Sequence, residues 1–170
     1  MPAAPEKSNN PTRHGVKSTR GKDFFIIIDP PRTTHQSGQT IMRRKDGSVF
    51  VGQNSKARRL AQKLSVLLKP HAPKIPYSGA ICLTIHWQYP WRKSEPKYNR
   101  TLGVLPCITR PDADNLAKLF IDAMGKAGFF LDDSQVFDLR FLKLFADKPG
   151  IGCNITEIEP GAKGRLPIIK

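Results

Sequence analysis

Two short stretches carry carboxylates at spacings that matter chemically: RPDADNLAKLF, Arg110 to Phe120, and LDDSQVF, Leu131 to Phe137. Pro111 biases Arg110 towards an extended backbone, so a helix begins most simply with Asp112 as its N-cap and Asp114 in its first turn. Residues two apart within a helix diverge by about 200°, but an N-cap lies outside helical geometry and can turn its carboxylate towards its neighbour's. Holding two carboxylates within ~4 Å costs on the order of 4 kcal/mol at an effective dielectric near 20, and a divalent cation removes that cost. Aspartate oxygens with no His or Cys close in sequence suit Mg2+, with Mn2+ as a substitute, better than zinc. Lys118 follows Asp114 by four residues and shares its helical face, where its ammonium can stabilise a phosphoryl group or pair with the aspartate. The same residues also have plainer uses. Asp112 can be a simple cap, Asp114 a first-turn acid, Asp114 and Lys118 a surface pair, and Asp132-Asp133-Ser134 a turn before a strand.

The setting of these acids is unusual. The 170-residue chain has 28 Lys and Arg against 14 Asp and Glu, a formal charge of +14, yet six of the fourteen acids lie between Asp112 and Asp138. A basic surface attracts polyanions, nucleic acid foremost, although ribosomal and membrane-surface partners obey the same charge logic. A divalent ion in such a protein can bind a phosphate oxygen, activate a water and stabilise a leaving oxygen, which is what a nuclease requires. The connection from Pro90 to Thr109 interleaves Trp91 and Tyr98 with Arg92, Lys93, Lys97 and Arg100. With Arg110, these four cations are the candidate DNA contacts, and a solvated loop is the alternative. Cys82, Cys107 and Cys153 are odd in number and form no C-x-x-C motif, which argues against a disulfide framework or a zinc site and suits a reducing cytoplasm. No signal-like apolar region opens the chain and no segment is long enough to span a bilayer, so no membrane role is expected.

The elements that must position the acids follow from periodicity. Residues 1–22 hold five Lys or Arg and almost no large apolar side chain, and are expected to form a disordered basic arm. Residues 23–160 form one domain, followed by a tail at 161–170. Asp23 to Ile28 is a short apolar run stopped by Pro30-Pro31, and Gln39 to Val51 centres on Asp46-Gly47, a hairpin dipeptide. Ala57, Leu60, Ala61, Leu64, Leu67 and Leu68 recur at helical spacing behind Asn54-Ser55, ending before Pro70. Ile81, Leu83, Ile85, Trp87 and Tyr89 alternate with polar residues, as in a half-buried strand. Leu116, Leu119, Phe120, Ala123, Met124 and Ala127 mark a second helix, with Gly128 placed to stop it. Val136–Phe145 and Cys153–Ile158 complete the set as strands. The order β, β-hairpin, α, β, α, β, β predicts a single α+β (α/β mixed) domain, a mixed sheet packed by two main helices.

Taken together, the residues from Arg110 to Lys143, RPDADNLAKLFIDAMGKAGFFLDDSQVFDLRFLK, resemble the signature of the RusA family of Holliday junction resolvases, typically encoded by phages and prophages. An Asp-x-Asp-Asn-x-x-Lys helix start, an Asp-Ala further along and an Asp-Asp-x-Gln before a strand occur in that family in this order and spacing. The resemblance implies a homodimeric, Mg2+-dependent endodeoxyribonuclease that resolves four-way DNA junctions by paired nicks in recombination and repair. It makes Asp112, Asp114 and Asp133 the essential metal-binding acids, Asp132 a supporting acid and Lys118 the catalytic lysine. Two alternatives stay open: a nuclease of the same fold acting on other branched DNA, and a non-catalytic DNA-binding protein whose acids are caps and turn residues. The motif disfavours the second, because a pure binder gains nothing from repelling carboxylates in a DNA-facing region. A 15-residue helix is ~22 Å long, so Asp133 reaches Asp112 only if the chain doubles back or a two-fold partner supplies it.

Overall fold

The computed structural model describes residues 18–32, 39–53 and 55–158. The expected basic arm as far as residue 17, Asn54 of the expected helix start and the expected tail at 161–170 lie outside the described residues. Seven strands and three helices run in the order β1 (Ser18–Ile26), β2 (Gln39–Arg43), β3 (Val49–Gln53), α1 (Ser55–Leu68), β4 (Ala80–Pro90), α2 (Lys97–Thr101), β5 (Val104–Pro106), α3 (Ala113–Ala127), β6 (Val136–Ala146) and β7 (Gly150–Ile158). Two single 3-10 turns, Lys69–His71 and Asp133–Gln135, follow α1 and precede β6.

Five strands form one mixed sheet in the order β1-β7-β4-β6-β5, and β2 with β3 make a separate two-stranded sheet. The antiparallel pairs β1–β7, β7–β4 and β6–β5 all join strands distant in sequence, whereas β4 and β6 pair in parallel. A parallel pair needs a crossover of a dozen residues or more, and α3 lies in it. The mixed α+β sheet predicted from residue order is the one observed.

The period-2 alternation of β4 fixes which face is covered. Ile81, Leu83, Ile85, Trp87 and Tyr89 are all buried, and they join Leu64 and Leu68 of α1 with Leu116, Leu119, Phe120, Ala123 and Met124 of α3 in one core. The Trp87 ring meets Phe120 edge-on at 6.0 Å between centroids, an arrangement that ring quadrupoles favour, and so ties α3 to β4. Gly128 ends α3 in the left-handed conformation, φ 89°. On the opposite face, Asp23, Asn154, Thr84 and Arg140 lie in register across β1, β7, β4 and β6. They border an open depression of about 480 Å³ with His86.

Two boundaries differ from the sequence reading. Strand β1 starts at Ser18, so the expected arm boundary at residue 22 falls inside the sheet. Arg20 explains why: its guanidinium bonds the buried Glu157 at 2.7 Å and the carbonyls of Ile75 and Pro76, and it lies over the Tyr77 ring. Cross-strand partners therefore order a segment that has no apolar run of its own. The connection from Pro90 to Thr109, read as irregular, contains α2 and β5. Elements of five and three residues are too short to display a period.

Candidate active site

The start of α3 is built as its sequence suggests, with one telling exception. Asp112 occupies the N-cap with extended backbone, φ −70° and ψ 146°, and its carbonyl accepts the first helical bond from Leu116 N–H at 3.2 Å. Its carboxylate makes no capping bond. Asp114 sits in the first turn, Lys118 lies one turn later, and all three side chains are exposed. An Asp at an N-cap ordinarily accepts a bond from the backbone one turn ahead. Here that capacity is unused.

Strand β6 holds the approach to this helix. Lys143 donates from Nζ to the carbonyls of Thr109 at 2.5 Å and Pro111 at 2.6 Å, while its own carbonyl accepts from Cys107 N–H at 2.8 Å. The Arg110–Pro111 peptide is cis. One lysine thus fixes both peptides flanking Arg110-Pro111 and sets where Asp112 begins. Its signal in the sequence is faint: a Lys in the apolar series Phe141-Leu142-Lys143-Leu144-Phe145, on the strand face that looks towards the helices.

The second acidic stretch is an anchored turn. Asp132 accepts from Ser134 N–H at 2.8 Å, and Gln135 Oε1 accepts from the N–H groups of Leu131 and Asp132 at 2.8 and 2.9 Å, a complete capping box. The amide of Gln135 reaches on to the carbonyls of Tyr77 and Gly79 at 3.1 and 2.9 Å, just before β4. The bonds from Ser134 hold the Asp132 carboxyl below its ordinary range. The Asp-Asp-x-Gln pattern is therefore first a structural device: Asp132 caps, Gln135 pins, and Asp133 between them is exposed. A depression of about 330 Å³ gathers Asp122, Lys126, Asp132 and Asp133 beside the second half of α3.

The structure thus brings Asp112, Asp114 and Lys118 to one end of α3 and Asp132 and Asp133 beside its other half. Among the described residues, no group of three or more Asp, Glu, His or Cys is close enough to hold a metal ion. Mg2+ is commonly held by one or two carboxylates completed by water and substrate phosphate. The unspent Asp112 and Asp114 pair fits that pattern, and Asp133 of the same chain does not join it.

The candidate DNA contacts divide in two. Arg92 and Arg100 are exposed but hydrogen-bonded, Arg92 bonding the buried Glu95 at 2.8 Å and lying over the Phe145 ring at 5.2 Å. Arg100 donates to the Arg92 carbonyl at 3.2 Å, and Glu95 also accepts from Asn99 at 2.6 Å. The Asn99 and Arg92 bonds hold the Glu95 carboxyl below its ordinary range. Glu95, which sequence reasoning passed over, is the organiser of this segment, and its signal was being the only acid in a basic loop. Lys93, Lys97 and Arg110 are exposed, as is Tyr98 at 74%. They remain presented to solvent.

Residues 30–156 match the model of a family described as Endodeoxyribonuclease RusA. The chain belongs to that family, whose members are DNA-cleaving hydrolases. A Bacillus subtilis protein, YqaN, is 27% identical over 119 residues, 67% of this chain and 83% of its own length. Crossover junction endodeoxyribonucleases RusA of Escherichia coli K12 and of enterobacteria phage 82 are each 47% identical over 55 residues, 32% of this chain. The match spans just under half of each of those two proteins, 46%. No described helix is long and apolar enough to cross a membrane.

Proposed function

We propose that the protein cuts four-way DNA junctions by paired nicks, with each metal site formed by Asp112 and Asp114 of one chain and Asp133 of a two-fold partner. The observation that carries this reading is the N-cap carboxylate of Asp112, left without a capping bond beside Asp114 on a strongly basic protein. Mg2+ or Mn2+ held there would polarise a phosphate oxygen and lower the pKa of a bound water. Lys118, one turn beyond Asp114, brings a positive charge to the phosphate on which negative charge develops. Arg110, Lys93 and Lys97 supply backbone contacts that hold the DNA in place. Lys143 and Gln135 position the two acidic stretches.

A surface for the partner lies next to Asp133. Strand β5 pairs with β6 only at Leu144, Phe145 and Ala146, so the outer edge of β6 before that has no strand partner among the described residues. Leu131, Phe137 and Leu139 are 74%, 46% and 44% exposed there. Open edges and exposed apolar side chains both favour association, and a two-fold axis gives two nicks of equivalent geometry, as a four-way junction requires.

Mixed dimers test the shared site. Asp112→Asn and Asp133→Asn proteins should each bind a synthetic four-way junction and not cut it. Co-expressed, they should regain about a quarter of the wild-type nicking rate, because half the dimers are mixed and each mixed dimer has one intact site. A mixture as inactive as its parents places all three acids on one chain, and loss of junction binding in the single variants gives the acids a structural role.

A further inference from the structure

The β2–β3 hairpin is a two-stranded ribbon outside the main sheet, with register running from Gln39↔Gln53 to Arg43↔Val49. From Ile41 to Val49, every side chain whose exposure is described is exposed, Ile41 at 74% and Val49 at 57%. A lone hairpin of this kind is marginal in water unless something covers it. Its turn is nevertheless closely specified. Gly47, at φ 84°, donates to the Arg44 carbonyl at 3.0 Å, and Arg44 N–H donates to the Ser48 carbonyl at 2.9 Å. Asp46 accepts from Ser48 N–H at 2.9 Å and Ser48 Oγ at 2.6 Å, which turns its carboxylate into the loop.

The tip therefore presents three consecutive cations, Arg43, Arg44 and Lys45, with its one acid engaged by the turn. A protein of the wrong charge would be repelled, and an apolar partner would have to desolvate three cations. A polyanion satisfies both the charge and the shape: the major groove of B-DNA, ~12 Å wide, admits a two-stranded ribbon, and phosphates line its rims.

We propose that the β2–β3 ribbon is a DNA-binding arm, its tip cations gripping phosphates along the major groove of a duplex arm. These cations are additional to Lys93, Lys97 and Arg110. It adds affinity for duplex arms and contributes nothing to the chemistry.

The test compares wild type with Arg43→Ala/Arg44→Ala/Lys45→Ala in the full chain. Binding to a four-way junction and to a linear duplex is measured over a salt series without divalent metal. The slope of log K against log salt should become shallower by about 2.7 on both DNAs, at about 0.9 per phosphate contact, and affinity at moderate salt should fall about tenfold or more. Thermal unfolding is measured in parallel, so that loss of the fold is told apart from loss of DNA contacts. A control, Arg59→Ala/Lys63→Ala/Lys74→Ala, removes the same charge from other exposed positions. An unchanged slope in the ribbon variant overturns the proposal, and so does an equal change in the control, which makes the effect one of net charge. Because no metal is present, the arm can fail while the nuclease reading stands, and an inactive protein can still show it.

Discussion

Asp112 and Asp132 are the same residue type at the same structural position, the N-cap of a helical turn, and they behave oppositely. Asp132 spends its carboxylate on Ser134 and is closed in by Gln135. Asp112 makes no capping bond at the head of a 15-residue helix, where a cap is ordinarily worth roughly 1 kcal/mol. The protein caps a three-residue turn and leaves its main site helix uncapped. Under the function proposed above, the stability forgone at Asp112 leaves its carboxylate, with that of Asp114, for a cation.

The largest expected effect breaks this comparison directly. Asp114→Asn should abolish junction cleavage while binding persists, because the change removes ligand charge without adding bulk. Asp132→Asn should cleave at close to the wild-type rate, since Asn caps about as well as Asp. Nicking assays at saturating protein measure both. If Asp132→Asn is as inactive as Asp114→Asn, Asp132 is a metal ligand that also caps, and the contrast drawn from the hydrogen bonds fails.

A smaller effect is expected at the support. Lys143→Met keeps most of the apolar stem and removes the two bonds to Thr109 and Pro111. The head of α3 should then shift by a fraction of a turn, and misplacement of about 1 Å at a reacting centre costs about 10²-fold in rate. Junction affinity should hardly change, because Lys143 is turned into the protein. A parallel loss of affinity and rate would make Lys143 a DNA contact instead.

Much of this was legible beforehand, and the limits have physical reasons. Helix α3, its cap and its stop came directly from Pro111, Asp112, the apolar series from Leu116 to Ala127, and Gly128, because each acts within a few residues. Strand β4 announced itself by alternation. What could not be read depended on distant partners. Arg20 orders the start of β1 through Glu157, 137 residues away. Lys143 is recognisable as a support only once the parallel β4–β6 crossover has brought β6 under residues 107–111. The sequence likewise placed four acids in two motifs, but their separation along α3 follows from helix length and from the Gln135 bonds to Tyr77 and Gly79. Arg92, a candidate DNA contact by composition, is also held by Glu95 three residues on, a pairing open to view in the sequence but outweighed there by the surrounding basic residues.

The smallest effect concerns the pH behaviour of the two supports. The turn at Asp132 rests on residues 77–79, and these rest on Glu157, which accepts from Ser78 and Gly79 N–H at 2.8 Å each and from Arg20. The bond from Arg20 and the two backbone bonds lower the Glu157 carboxyl from its ordinary 4.5 to about 2. A carboxyl whose pKa is depressed by folding contributes stability that is fully present above its unfolded value and disappears as pH falls through the folded one. The wild-type protein should therefore lose stability progressively from about pH 4.5 towards pH 2. Glu157→Gln, which has no such charge to lose, should be less stable near pH 7 and converge on the wild type in acid. Thermal unfolding of both proteins across that window measures the difference. A gap that stays constant with pH would mean that the carboxylate is held by shape and not by charge, and that the turn bearing Asp133 is no more acid-sensitive than the head of α3.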